Sequence, residues 1–247
     1  MTRPALLLIG LVMTTAACGS SPGTAGGGAV PHVTVFAAAS LQPPLQKMAE
    51  QGRFVATYNF AGTQTLTAQL TEGAQADVFA SADTAHMKAV QDAGLLDGAP
   101  KIFAHNRLEI AVAKGNPKHI ESLQDLARSG IVVVLADPSV PAGKYAQQSL
   151  ARAGVHVQPV SLELEVTAVL NKVALGEADA GIVYVSDIVS SGKVDGITIP
   201  DSQNVIADYP IAVLSSAHDR NAAHGFVDYV LSPDGQAILK QAGFEAS

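Results

Sequence analysis

Short apolar segments rich in valine and isoleucine alternate with amphipathic segments along most of the chain, and this alternation restricts its fold most strongly. The apolar segments include VTVFA at 33–37, IVVVLA at 131–136 and AGIVYV at 180–185. The segments between them, such as GKYAQQSLARAG and VTAVLNKVALGEA, carry apolar residues at helical spacing and often end near glycine. This alternation predicts an α/β fold, and strands that are apolar on both faces predict a parallel sheet covered by helices on both sides.

The chain has 247 residues, which is long enough for one large domain or two smaller lobes. RLEIAVAKGNP at 107–117 and ADYPIAVLSS at 207–216 bracket a central block that has its own alternation of strands and helices. We therefore predict two lobes, one formed by 32–109 plus 211–247 and the other by 110–210, joined by two chain crossings that act as a hinge. A single doubly wound sheet is the alternative.

The N-terminal residues have the layout of a secretory signal. MTRPALLLIGLVMTTAAC contains one arginine, an apolar run too short to span a bilayer, and then small residues. Cys18, the only cysteine, follows TAA, so residues 1–17 resemble a bacterial lipoprotein signal peptide and Cys18 is the expected site of lipidation. An ordinary signal peptide is the alternative, because Thr15 stands where such motifs prefer leucine. The Gly- and Ser-rich segment 18–31 predicts a flexible tether, so we expect an exported protein that is lipid-anchored to the outer face of the cell membrane.

Composition and motifs argue against several classes of function. The chain has 22 acidic and 15 basic residues, a formal net charge of −7, which disfavours nucleic acid as a partner. No motif places a base beside a nucleophile, so we do not expect an enzyme, and an exported lipoprotein hydrolase is the less favoured alternative. The seven histidines lack the spacing typical of metal ligands. We therefore expect neither a bound metal cation nor a cofactor.

Four predicted helices begin near the ends of strands or after small residues, close to Ser40, Thr63, Ala142 and Val166. Backbone N–H groups in the first turn of a helix have no partner within the helix, and the helix dipole places partial positive charge there. Several such helix starts that face one point would bind a small anion without any formal positive charge. Tyr184, at the end of a strand in GIVYVSD, would add an aromatic hydroxyl. Taken singly, each of these residues is more common as a helix cap or a core residue.

Five segments, in their order and with their separations, resemble the periplasmic molybdate-binding proteins that supply an ABC importer: VTVFAAASL, FAGTQTLTAQL, GAQADVFASAD, VPAGKYAQQSL and GIVYVSD. The resemblance runs from about residue 33 to residue 244. It implies a two-lobed type II periplasmic-binding-protein-like fold with the ligand in the cleft between the lobes. It also implies a monomer whose partner is the importer permease.

The resemblance further implies which groups hold the ligand. These are the hydroxyl and N–H groups of Ser40 and Thr63, the N–H groups of Ala142 and Val166, and the hydroxyl of Tyr184. The first two residues would lie on one lobe and the other three on the second, so that binding would favour a closed state. Molybdate and tungstate, proton-free dianions of nearly equal size, are the expected ligands.

Other ligands of the same fold stay open as alternatives, namely sulfate, phosphate and thiosulfate. Phosphate sites tend to include an acceptor for the anion's own proton, and Asp137 is the candidate near the third helix start. Asp83 is instead expected to cap the helix that begins at DTAHM.

Three residues near the implied site depart from the family pattern. Thr63 stands where the family usually has serine, which adds a methyl group that could crowd the pocket. Gln64 replaces a small residue and could supply an amide donor. Lys144 places a charge directly after the third turn, although a solvated lysine on a helix face is the commoner situation.

Overall fold

The computed structural model describes residues 30–246. The predicted signal peptide at 1–17, Cys18 and nearly all of the predicted tether lie outside the described residues. Within the described part of the chain, no helix combines the length and the apolar character needed to cross a membrane.

The described residues form two β-sheets. Their strands are β1 (His32–Ala38), β2 (Val55–Ala61), β3 (Val78–Ala80), β4 (Lys101–Asn106), β5 (Leu108–Ala113), β6 (Val133–Ala136), β7 (Ser161–Glu163), β8 (Ala180–Tyr184), β9 (Val194–Thr198), β10 (Ala207–Val213) and β11 (Glu245–Ala246). The first sheet has the order β11-β4-β10-β3-β1-β2, and the second has the order β7-β6-β8-β5-β9. The chain is therefore α/β with two lobes, and the alternative of a single sheet is wrong.

Helices accompany both sheets. They are α1 (Gln42–Ala49), α2 (Thr63–Thr71), α3 (Thr84–Asp92), α4 (Pro141–Arg152), α5 (Val166–Ala174), α6 (Val185–Ser191), α7 (Arg220–Leu231) and α8 (Pro233–Gln241), with short 3-10 turns at Ala39–Leu41 and Leu123–Ala127. The predicted helix starts at Thr63 and Val166 are confirmed. Helix α4 begins at Pro141, because proline fits the first helical position, where an N–H group would be unpaired in any case.

Both sheets are mixed rather than purely parallel, so the prediction of parallel sheets is wrong in part. Strand β1 is parallel to β2 and β3, and β6 is parallel to β7 and β8. Strand β5 is antiparallel to β8 and β9, and β10 is antiparallel to β3 and β4. The antiparallel strands β5 and β10 are the first strands after each passage between the sheets.

The chain crosses between the sheets twice. It leaves the first sheet at Arg107, between β4 and β5, and returns through the segment between β9 and β10. The lobe boundaries predicted from the sequence, after residue 109 and after residue 210, therefore fall inside β5 and β10. The apolar pattern of each strand is continuous, so it does not mark the residue at which pairing begins.

Polar side chains hold the two crossings together. Asn204 accepts a hydrogen bond from the Leu108 N–H at 3.1 Å and donates one to the Leu108 carbonyl at 2.9 Å. The Arg107 guanidinium contacts Asp201 at 2.6 Å and Glu245 at 2.5 Å. The two peptide segments that join the lobes are thus linked to each other side by side.

The carboxyl ends of parallel strands lie at one edge of each sheet. In the first sheet, β1 leads into the 3-10 turn and β2 leads into α2; in the second, β6, β7 and β8 lead into α4, α5 and α6. Ligands of open α/β sheets bind outside the carboxyl ends of the strands. This topology brings the predicted helix starts of both lobes to the same region.

Candidate functional site

All five residues predicted from the sequence line one cavity between the two sheets. The cavity is small, with a volume of about 10 Å³ open to the centre of a water-sized sphere. Its lining consists of Ala38, Ala39, Ser40, Gly62, Thr63, Ala82, Val140, Pro141, Ala142, Val166 and Tyr184. None of these side chains carries a formal charge.

Two hydroxyl groups reach the cavity from the first lobe. Ser40 lies in the 3-10 turn after β1, and its Oγ is 3.0 Å from the hydroxyl of Tyr209. Thr63 is the first residue of α2, and its Oγ1 accepts a hydrogen bond from the Ala82 N–H at 3.2 Å. Because a hydroxyl that accepts from the protein still has its own hydrogen to donate, Thr63 can donate into the cavity. The buried Thr63 also shows that the added methyl group is accommodated.

Apart from Ser40 and Thr63, the wall contributed by the first lobe is made of alanine and glycine, which brings backbone to the cavity surface. At Gly62 an added Cβ would lie 2.5 Å from the Leu164 carbonyl oxygen and 2.5 Å from Gln64 Nε2. Any larger residue there would push the second lobe away. The small residues after β1 and β2 therefore allow close approach of a ligand and of the opposite lobe.

The second lobe offers backbone N–H groups from two helix starts. Pro141 occupies the first position of α4, so the next N–H groups, those of Ala142 and Gly143, have no partner within the helix. Gly143 is required here, because an added Cβ would collide with the carbonyl oxygens of Ala136 and Asp137. Val166 begins α5 and is buried against the same cavity. Each start also contributes the positive end of a helix dipole.

Tyr184 ends β8 and is 1% exposed, with its side chain against the cavity. Among residues 30–246, its hydroxyl oxygen has no hydrogen-bond partner although it is buried. Burial raises the pKa of Tyr184 well above its usual value, so the phenol keeps its proton at neutral pH. A buried hydroxyl left unpaired costs about 1–3 kcal/mol. An acceptor bound in the cavity would offset this cost.

The carboxylates that flank the cavity point elsewhere. Asp137 is absent from the lining, and its Oδ1 accepts hydrogen bonds from the N–H and the hydroxyl of Ser139, which lower its pKa. Asp83 is confirmed as the cap of α3, since its Oδ1 accepts from the His86 N–H at 2.9 Å. Burial raises the pKa of Asp83, but the hydrogen bonds and charge of His86 and the charge of Lys144 lower it overall. Lys144 itself is exposed.

Gln64 bonds to the opposite lobe rather than pointing its donor into the cavity. Its Nε2 donates to the Leu164 carbonyl at 2.8 Å, two residues before the start of α5. The sequence-based expectation of an extra amide donor is therefore replaced by a contact that bridges the two lobes. Its Oε1 is buried without a partner among the described residues.

The sequence did not indicate Tyr209, which contacts Ser40 without lining the cavity itself. Its ring is fully buried in β10, and its hydroxyl bonds to Ser40, 169 positions away in the sequence. The only local signal was one tyrosine in a mostly apolar strand, ADYPIAV. In the part of the chain that the structure describes, no group of three or more His, Cys, Asp or Glu residues is arranged to hold a metal ion.

Comparison with known proteins extends this picture. Residues 33–245 match the family model of the bacterial extracellular solute-binding proteins. The molybdate-binding protein ModA of Mycobacterium tuberculosis is 46% identical over 250 residues, which span 97% of this chain and 94% of that protein.

Two solved structures share the fold at lower sequence identity. The periplasmic molybdate-binding protein of Azotobacter vinelandii has a TM-score of 0.77 at 21% identity and covers 87% of this chain and 99% of its own. The sulfate-binding protein SubI of Mycobacterium tuberculosis has a TM-score of 0.78 at 20% identity and covers 87% of each chain. With a family match over most of its length and a two-lobed body that opens on a cleft, this chain belongs to the bacterial extracellular solute-binding proteins.

Proposed function

We propose that this protein captures molybdate, and also tungstate, and delivers the anion to the permease of an ABC importer. The observation that supports this most directly is the Tyr184 hydroxyl, a buried and unpaired donor on a cavity without charged side chains. The relative with 46% identity is named a molybdate-binding protein, which supports the same ligand. The family consists of solute-binding proteins rather than enzymes, so no reaction is proposed.

The donor set suits a tetrahedral dianion. Three hydroxyls and four N–H groups, from Ser40, Thr63, Ala142, Val166 and Tyr184, would surround the anion. A hydrogen bond to a charged partner contributes about 1.5–3 kcal/mol, so about seven of them can offset the desolvation of a dianion and the ordering of two lobes. Donors alone suffice for molybdate, because at neutral pH it carries no proton that needs an acceptor.

Sulfate is the second candidate, because it too is a proton-free dianion and the sulfate-binding protein SubI has the same fold. Phosphate is less well supported, since the cavity lining contains no carboxylate to accept its proton and Asp137 bonds to Ser139 instead. Thiosulfate also lacks a proton, but it is longer than molybdate. Between molybdate and sulfate, we expect cavity size to decide, because the longer metal–oxygen bonds of molybdate fill more space.

The remaining parts of the proposal concern assembly and location. Cys18 is proposed to be lipidated after removal of residues 1–17, and residues 18–31 to tether the body to the outer face of the cell membrane. The protein is proposed to act as a monomer. Its two lobes, divided near the crossings at 107 and 199–206, are proposed to close on the anion, and the permease to recognise the closed form.

Isothermal titration calorimetry of the full-length chain tests the ligand. We expect tight binding of sodium molybdate and sodium tungstate and little heat from sulfate or phosphate. Tight binding of sulfate with weak binding of molybdate would identify sulfate, rather than molybdate, as the ligand. Absence of binding for all four anions would overturn it.

A further inference from the structure

Tyr209 stands directly behind the cavity, although it does not line it. Its ring packs edge-on against Phe103, Tyr184 and Phe244, with centroid distances of 6.3, 5.8 and 5.3 Å. Its hydroxyl lies 3.0 Å from Ser40 Oγ. Both oxygens are buried, so the direction of this one hydrogen bond affects what Ser40 offers to a ligand.

The groups around the two oxygens favour one direction. Within residues 30–246, Ser40 Oγ is the atom at hydrogen-bond distance from the Tyr209 hydroxyl, and the side chains of Asn106 and Tyr184 lie near enough to affect the pKa of Tyr209. The amide of Asn106 bonds elsewhere, its Nδ2 to Ser186 Oγ and its Oδ1 to the Arg107 N–H. If Ser40 donated to Tyr209, the phenol hydrogen would lose its 3.0 Å acceptor and be left with the neighbouring Asn106 and Tyr184 side chains. If Tyr209 donates, the Ser40 hydrogen is free to point into the cavity.

Burial and chemistry favour the same direction. Burial raises the pKa of Tyr209, so the phenol holds its proton and stays able to donate. A phenol is also a stronger donor than an aliphatic hydroxyl, because it is the more acidic of the two. The arrangement matches that of Thr63, whose Oγ1 is occupied by the Ala82 N–H. Both hydroxyls on the first lobe then have an oxygen that accepts from the protein and a hydrogen left for the ligand.

We propose that Tyr209 is a positioning residue that turns the Ser40 hydroxyl hydrogen toward the cavity, where it donates to the bound oxyanion. This inference rests on the proposed function and deepens it. Ser40 and Thr63 then each present a hydroxyl hydrogen to the bound anion from the first lobe.

The first experiment is titration of the Tyr209→Phe variant of the full chain with sodium molybdate at neutral pH. The phenylalanine keeps the ring packing and removes only the donor. We expect molybdate affinity to fall about tenfold, because the Ser40 hydrogen is no longer directed at the anion. Wild-type molybdate affinity in the variant would overturn the proposal.

A double-mutant cycle separates positioning from a general structural role. In a Ser40→Ala background, Tyr209→Phe should have no further effect on molybdate affinity, because the residue through which it acts is gone. An equal loss in both backgrounds would mean that Tyr209 acts on the fold of the site and not through Ser40.

The Ser40→Ala variant alone tests the direction of the hydrogen bond, even if Tyr209→Phe fails to fold. If Tyr209 donates, Ser40 supplies a donor to the anion and its loss lowers molybdate affinity about tenfold or more. If Ser40 donates to Tyr209 instead, affinity is unchanged and the proposal is wrong. Ser149→Ala is the matched control, because Ser149 is buried in α4 outside the cavity.

The unmodified chain keeps the two proposals distinct. If it binds sulfate but not molybdate, the proposed function fails, and the same variants titrated with sulfate still test Tyr209 with a proton-free dianion. If it binds neither anion, both proposals fall.

Discussion

Single side chains decide which hydrogens and charges are buried at the cavity. Tyr184 and Asp187 lie three residues apart and both are buried, but the first carries a hydrogen-bond donor and the second carries acceptors. The Tyr184 hydroxyl has a hydrogen and no acceptor among the described residues, whereas Asp187 Oδ2 accepts a hydrogen bond from the Tyr184 N–H at 3.0 Å. Each therefore gives a separate prediction.

Tyr184→Phe should weaken molybdate binding without harming the fold. The variant loses one hydrogen bond to a charged ligand, about 1.5–3 kcal/mol, which corresponds to a loss of roughly 10- to 150-fold in affinity. The free energy of unfolding should stay constant or rise, because an unpaired buried hydroxyl is removed. Calorimetric titration and urea unfolding measure the two effects. Tyr145→Phe, on α4 outside the cavity lining, is the control, and wild-type affinity in Tyr184→Phe would remove Tyr184 from the site.

Asp187 should make stability depend on pH. Burial raises the pKa of Asp187 from its ordinary 3.8 to about 7, although the Tyr184 N–H lowers it. Between these two pKa values the folded protein holds a proton that the unfolded chain has lost, so the free energy of unfolding falls as pH rises toward 7 and is level above it. Asp187→Asn, which keeps an acceptor for the Tyr184 N–H, should flatten this slope and be more stable than the wild type at pH 8. Urea unfolding across this pH range checks it, and an identical slope in both proteins would exclude Asp187 as its source.

At the scale of secondary-structure elements, the apolar pattern identified most interior strands and missed the sheet edges. The predicted apolar strands correspond to β1, β3, β5, β6, β8 and β10, all of them interior. The interior strand β4 and the four edge strands, β2, β7, β9 and β11, were not predicted. An edge strand is exposed on more sides, so it carries mixed residues, as VATYNFA in β2 and VDGIT in β9 show.

The candidate site was more predictable than its support. The helix starts at Thr63 and Val166 carry local signals, and the resemblance to a known family suggested the other residues. The Ser40–Tyr209 contact joins residues 169 positions apart, so no local pattern marks it. The Gln64 contact with Leu164 depends on how the two lobes meet, which lies beyond what a single chain segment determines.

Gly143 should be required for the placement of α4. A Cβ at Gly143 would meet backbone oxygens of Ala136 and Asp137, which cannot rotate away. Gly143→Ala should therefore lower the free energy of unfolding by about 1–3 kcal/mol and abolish tight molybdate binding, because the N–H groups at the start of the helix are displaced. Gly225→Ala in α7 is the matched control, since its Cβ would only touch the Phe54 ring at 3.6 Å. Urea unfolding measures the stability of the variant, and calorimetric titration measures its molybdate affinity. Wild-type values for Gly143→Ala in both measurements would contradict the prediction.

On the scale of the whole molecule, the Gln64–Leu164 hydrogen bond joins the lobes beside the ligand. Gln64→Ala should shift the equilibrium toward an open form and weaken molybdate binding severalfold, since a hydrogen bond contributes about 0.5–1.5 kcal/mol net. Small-angle X-ray scattering should show compaction of the wild type on addition of molybdate, and the variant should need more ligand for the same change. Gln147→Ala, exposed on α4, is the control. No compaction in the wild type would refute closure by ligand.

The absence of charged side chains around the cavity has a kinetic consequence. A receptor with a formal charge of −7 and no cationic residue lining its cavity has no long-range electrostatic attraction to speed its encounter with a dianion, since the helix dipoles at the cavity act only at short range. Tight capture must then come from slow dissociation, with the anion released only when the lobes separate. Binding that is built from neutral dipoles is also weakly screened by salt, so the residence time of the anion should stay nearly constant while the ionic strength outside the cell varies.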